Sequence, residues 1–144
     1  MKKLLERLNT LLSTLIVFQS NVKNFHWHIK GNDFFIFHKY TDKLSAQTLG
    51  FVDEVAEKLI MLDQVVETKF EKILKSSLVQ QFEGEIISSK PATERIINQI
   101  EVILASCKAI QSTEDESMFL VAPLIDEIVL FFHKFLWQFK SSIQ

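Results

Sequence analysis

The sequence predicts an all-α fold: a four-helix bundle with one long crossover connection, and room in that connection for a short extra helix. Composition is the first reason, since 13 Phe against only 3 Gly in 144 residues means many bulky side chains and few breakers, a balance that favours long packed helices. Periodicity is the second, because apolar residues recur at gaps of three and four along most of the chain. The length suits one domain spanning residues 1–144, long enough to bury a continuous core.

Leu4, Leu8, Leu11, Leu12, Leu15, Ile16 and Val22 define a first helix over about residues 2–29. Lys30-Gly31-Asn32-Asp33 follows, where Gly31 can close that helix in the left-handed conformation and Asn32 or Asp33 can cap the next. The second helix runs over about 33–63 on the stripe Phe34, Phe37, Thr41, Leu44, Thr48, Phe51, Val55, Leu59, Leu62 and Val66. Residues 64–76 stay helix-compatible, either prolonging the second helix or forming a short crossover helix. The period is lost over 77–90, which include Gly84, and this long connection implies one crossover in the bundle. Pro91 suits the first turn of a third helix that packs Ile96, Ile97, Ile100, Ile103 and Leu104 and ends near Ser112. Thr113 and Glu116 have capping-box spacing for a fourth helix reaching about Ser142, with Pro123 inside it as an expected kink or restart.

Charge and cysteine content narrow the function. The net charge is -2, the pI is near 6.1, and the basic cluster Lys2-Lys3 gives phosphate backbones little to grip, so DNA binding is not expected. A lone cysteine, Cys107, demands no oxidising compartment, and a cytoplasmic location is the default. The apolar run Leu11–Phe18 is interrupted by Ser13 and Thr14, is too short for a membrane span and lacks a following cleavage pattern, so it reads as core helix.

Between positions 26 and 57 the candidate ligands are His26, His38, Asp42, Asp53 and Glu57, whose imidazole and carboxylate groups suit iron. At about 100° per residue, with His38 set to zero, Asp42 falls near 40°, Asp53 near 60° and Glu57 near 100°. These four share one face, about 150° from the core stripe. That face would meet water in a lone subunit, yet the positions among the ligands are Phe35, Ala46, Leu49, Ala56 and Ile60 rather than the polar residues of a solvated surface.

Asp42 and Asp53 lie about 16 Å apart along the helix axis, too far to share an ion. One helix therefore offers two half-sites. They complete each other if two copies run antiparallel about a two-fold axis, because the pairs 42/53 and 38/57 share a midpoint between Gln47 and Thr48. His26 and His38 are equally distant from Asn32 at the turn, so His26 joins the His38 half. The expected site sets His26, His38 and Asp42 of one subunit against Asp53 and Glu57 of another across an isologous interface. The plain alternative is a solvated carboxylate pair, although Asp53 and Glu57 repel as like charges one turn apart and would do so more strongly if covered without a cation. His28 and His133 read as ordinary surface or core residues.

The segments NFHWHIKGNDFFIFHKYTDK and DEVAEK, and more weakly DEIVLFFHKFLWQF near the C-terminus, resemble the Dps family of miniferritins (DNA-binding proteins from starved cells). The family pattern falls on His26, Trp27, Lys30, Gly31, His38, Asp42, Asp53, Ala56 and Glu57. The resemblance implies a ferritin-like bundle assembled into a hollow homo-dodecamer with ferroxidase sites at its two-fold interfaces. It implies oxidation of Fe(II), commonly by hydrogen peroxide, with ferric storage and protection against oxidative damage. By the same resemblance Trp27 lies beside the metal site and Asp126 is a candidate pore carboxylate. The chain departs from the pattern in several places: Ala46, Gln47 and Gly50 replace common cavity acids, Leu62-Asp63-Gln64-Val65 replaces a Gly-rich helix end, His28 stands where Asn is frequent, and basic tails are missing.

A conventional ferritin or other di-iron bundle enzyme would carry Glu-x-x-His on each of two helices, and no such motif occurs here. A non-enzymatic shell or interaction protein that kept the interface and lost iron turnover is the remaining alternative.

Overall fold

A computed structural model describes all 144 residues and contains five helices: α1 Lys2–His28, α2 Phe34–Met61, α3 Phe70–Ser76, α4 Ser89–Gln111 and α5 Met118–Ser142. Helices α1, α2, α4 and α5 form the bundle. The crossover from α2 to α4 contains α3, which packs on α1 through the buried Ile73. This is the expected architecture, with the ambiguous 64–76 segment resolved as six non-helical residues followed by the short helix.

Helical periodicity places the core. From α2, Phe37, Thr41, Leu44, Thr48, Phe51, Val55 and Leu59 are buried, as the stripe predicts. At the centre, Phe132 packs against Phe18 with ring centroids 5.8 Å apart and against Phe51 at 6.1 Å. Burying each such side chain contributes roughly 1.5–3 kcal/mol.

Helix ends show where local reading was incomplete. Gly31 has φ +123°, but α1 stops before it: Ile29 is the C-cap in an extended conformation and pairs with Ile87 of the crossover. Lys30 N–H donates to Ile87 O (2.9 Å) and Ile87 N–H to His28 O (3.2 Å), so a distant segment terminates the helix. At the end of α2, Asp63 adopts φ +62°. Its N–H reaches Ile60 O and that of Gln64 reaches Leu59 O, each at 3.0 Å, a Schellman closure with Asp in the position that usually takes glycine.

The Thr113/Glu116 capping box does not form. Thr113 Oγ1 donates to Ala109 O (3.0 Å) and accepts from Arg7 (2.6 Å), which commits it to the end of α4. Helix α5 begins at Met118, after an Asp115–Ser117 turn in which Asp115 Oδ1 accepts the Ser117 N–H (2.8 Å). Pro123 causes no restart, since α5 runs unbroken through it. As the sixth residue of α5 it lies beyond the unpaired N–H groups of the first turn, so it removes the hydrogen bond that Phe119 O would accept, and Phe119 is exposed to water.

Side chains of α1 hold the crossover. Buried Asn21 donates to Gln80 O (2.8 Å) and to Gln99 Oε1 (3.0 Å), and accepts from Phe82 N–H (2.9 Å). Thr14 Oγ1 accepts Leu78 N–H (3.0 Å), and Asn24 donates to Glu83 O (2.9 Å). An irregular segment lying on a bundle must satisfy its backbone groups, and these polar residues do so. No helix is long and apolar enough to cross a membrane.

Candidate metal centre

The α1–α2 hairpin brings His26 and His38 together. His26 is buried near the end of α1, and His38, half-buried, lies one turn into α2. Their rings stack with centroids 3.7 Å apart and planes 16° from parallel. Phe34 also stacks on His38, at 5.1 Å and 17°. His38 Nδ1 donates to the backbone carbonyl of His26 (2.9 Å), while His26 Nδ1 meets Thr41 Oγ1 (3.0 Å). Each imidazole is thus tied down through Nδ1, which leaves Nε2 for another partner.

Asp42, one helical turn after His38, places Oδ1 3.9 Å from His26 Nε2 and 3.4 Å from Lys23 Nζ, and its side chain is 62% exposed. The pKa of His26 lies below the ordinary imidazole value. Burial is the main cause, and the neighbouring His38 and the Lys23 cation add to it. A neutral ring with a free lone pair is the form that binds a transition metal.

Asp53 and Glu57 are exposed, one turn apart on α2 and remote from the histidines along the helix. Within the single chain no three His, Cys, Asp or Glu side chains converge in metal-holding geometry. The apolar positions of the same face are open: Phe35 is 85% exposed, Ile60 57% and Leu49 56%. Trp27, next to His26 in sequence, is 67% exposed, so most of its surface is uncovered in the single subunit. Asp126 is exposed and accepts a hydrogen bond from Gln111 (3.0 Å).

Periodicity did not single out Lys23, Phe34 or Thr41 as members of this cluster. Phe34 and Thr41 belong to the apolar stripe by spacing, and Lys23 has the composition of any surface position. The available signal was placement: Lys23 precedes His26 by three residues and Thr41 follows His38 by three, so each shares a helix face with its histidine.

The ferritin-like domain model matches residues 5–144. The DNA protection during starvation protein of Porphyromonas gingivalis is 31% identical over 110 residues, covering 76% of this chain and 69% of that relative. The chain belongs to the Dps branch of the ferritin-like family. Among solved structures, Dps from Staphylococcus aureus superposes with a TM-score of 0.93 at 21% identity, covering 100% of this Dps chain and 97% of that one. The Dps protein of Vibrio cholerae O1, described as a member of a broad superfamily of ferritin-like diiron-carboxylate proteins, gives 0.89 at 22% identity, covering 99% and 90%. These two likenesses establish the ferritin-like bundle, and family membership ties the chain to iron handling.

Proposed function

We propose that this Dps chain oxidises Fe(II) at a site assembled between two subunits, with hydrogen peroxide as the oxidant and retention of the ferric product as the consequence. The observation that carries the reading is the stacked His26–His38 pair with Asp42 on one half of α2, and the carboxylates Asp53 and Glu57 on the other half of the same face. Exposed apolar residues among them suit a covered seam better than a solvated one.

Two imidazole planes that are nearly parallel and 3.7 Å apart cannot both contain one ion. The pair is therefore suited to one Fe(II) per ring, with Asp42 and the other subunit's acids bridging and neutralising. Two Fe(II) ions then supply the two electrons that cleave the O–O bond of hydrogen peroxide. With two protons the oxygens leave as water, and both irons become Fe(III). Anionic ligands favour the more highly charged product. Passing both electrons at one centre avoids the one-electron cleavage that releases hydroxyl radical, so protection accompanies oxidation.

A closed homo-oligomer with two-fold seams, a dodecamer in this reading, would place the α2 faces together and cover Phe35, Leu49 and Ile60. Protection of DNA, named for the P. gingivalis relative, would follow here from removal of Fe(II) and peroxide. Direct contact with DNA is not part of the reading, given a pI near 6.1. A cytoplasmic location suits a substrate that must stay reduced until it reaches the site.

Anaerobic Fe(II) titration followed by peroxide tests the proposal. Saturable oxidation that is lost in His38→Ala and Asp53→Ala shells of native size is the expected result. Absence of saturable oxidation in the wild type, with the two variants no different from it, would leave the second reading, a shell without iron turnover. That reading draws on exposed Ala46, Gln47 and Gly50, where the α2 surface carries no carboxylate to gather iron.

A further inference from the structure

The side chain that meets His26 Nδ1 is Thr41. A neutral imidazole carries its proton on one nitrogen, and only the other can bind a metal. For His38 the backbone decides the matter: Nδ1 lies 2.9 Å from a carbonyl oxygen, which can only accept, so Nδ1 holds the proton and Nε2 the lone pair. For His26 no carbonyl meets Nδ1 in full hydrogen-bond geometry, although the His38 backbone lies near enough to favour a protonated ring. His26 Nδ1 meets the hydroxyl of Thr41 at 3.0 Å, a group able to donate or accept.

The surroundings of Thr41 resolve the direction. Thr41 is fully buried, and its oxygen lies 2.8 Å from Phe37 O and 3.2 Å from His38 O, both obligate acceptors. The single hydroxyl hydrogen is directed back to these carbonyls, as is common for threonine in a helix. What remains on the oxygen is lone-pair density, which accepts from an Nδ1–H. A β-branched side chain has few χ1 states, which favours this arrangement at a fully buried position.

We propose that Thr41 is a positioning residue that fixes His26 as its Nδ1–H tautomer, so that Nε2 presents a lone pair toward Asp42 and the metal. This inference rests on the ferroxidase reading only for the use made of the nitrogen. The tautomer itself is a property of the metal-free protein. Partners of this kind orient ligand histidines, and their loss costs roughly 10–100-fold in metal affinity.

The test uses the full-length assembled protein labelled with 15N-histidine, kept metal-free above the imidazole pKa range, with signals assigned by single His→Gln variants. Nitrogen shifts separate protonated from lone-pair nitrogens. Wild-type His26 and His38 should both show Nδ1 protonated. In Thr41→Val, which keeps the shape and removes the hydroxyl, His26 should move toward the Nε2–H form while His38 stays unchanged as the internal control. Thr41→Ser should restore the wild-type pattern. Anaerobic Fe(II) binding should weaken about 10–100-fold in Thr41→Val and recover in Thr41→Ser.

An Nε2–H signal for wild-type His26, or an unaltered His26 in assembled Thr41→Val, overturns the proposal. If Thr41→Val fails to assemble, the wild-type and Thr41→Ser spectra decide: Nδ1–H in both supports the assignment, and Nε2–H in either sinks it. A wild-type protein with the expected tautomers but no saturable Fe(II) binding would instead refute the ferroxidase reading and leave the role of Thr41 intact.

Discussion

His26 and His38 stand on different helices and stack at 3.7 Å, each tethered through Nδ1 to a residue of the α1–α2 hairpin. The hairpin thus presents both histidines together as one half of the proposed metal site. The other half, Asp53 and Glu57, lies elsewhere on α2, and this separation makes the site testable by subunit mixing.

Shells of His38→Ala alone or Asp53→Ala alone should be inactive. Random co-assembly in equal amounts should restore about one quarter of wild-type sites, because half of the two-fold pairs are mixed and one of the two sites in each keeps both intact halves. Peroxide-dependent Fe(II) oxidation in the refolded mixture measures this. A site contained within one subunit would give no recovery.

Leu49 lies close to the expected axis between Gln47 and Thr48 and is 56% exposed in the single chain. Leu49→Asp would exchange apolar burial worth roughly 1.5–3 kcal/mol per copy for two facing carboxylates. Light scattering should then report dissociation into smaller species with helical content retained. A variant that keeps the wild-type mass would place the seam elsewhere.

The pH response of metal-free protein follows from His26. Its folded pKa lies below the ordinary imidazole value of 6.5, through burial first, then His38 and Lys23. Between the folded and unfolded values the unfolded chain binds more protons, so stability rises with pH across that interval. Acidification below 6.5 withdraws that stability until His26 is protonated in the folded state as well. Melting temperature should therefore fall less steeply on acidification in His26→Gln than in wild type, and parallel slopes would contradict the assignment.

Phe132 lies on α5, outside the hairpin that carries the histidines, and anchors the core with Phe18 and Phe51. Phe132→Ala should lower stability by about 3–5 kcal/mol through the cavity it leaves. Denaturant unfolding measures the loss, while Fe(II) affinity in the folded protein should remain near wild type. A comparable loss from Trp27→Ala, whose side chain is 67% exposed in the subunit, would point to burial of Trp27 in the assembly.

Much of the bundle was legible in the sequence because helical burial is a local, periodic property. The spacing from Phe37 to Leu59 determined which face of α2 enters the core, and hence that His38, Asp42, Asp53 and Glu57 share a different one. The same periodicity determined that one helix can hold only halves of a site. Tertiary structure alone decided what depends on partners distant in the chain. Ile87 ends α1 before Gly31 can, Arg7 and Ala109 draw Thr113 away from the cap of α5, and Asn21 holds the crossover through Gln80 and Phe82. Thr41 is the sharpest case: its position in the apolar stripe marks it as core filling, and only the folded hairpin brings its hydroxyl to His26. A polar side chain can satisfy many partners, so its identity says little until the fold has chosen one.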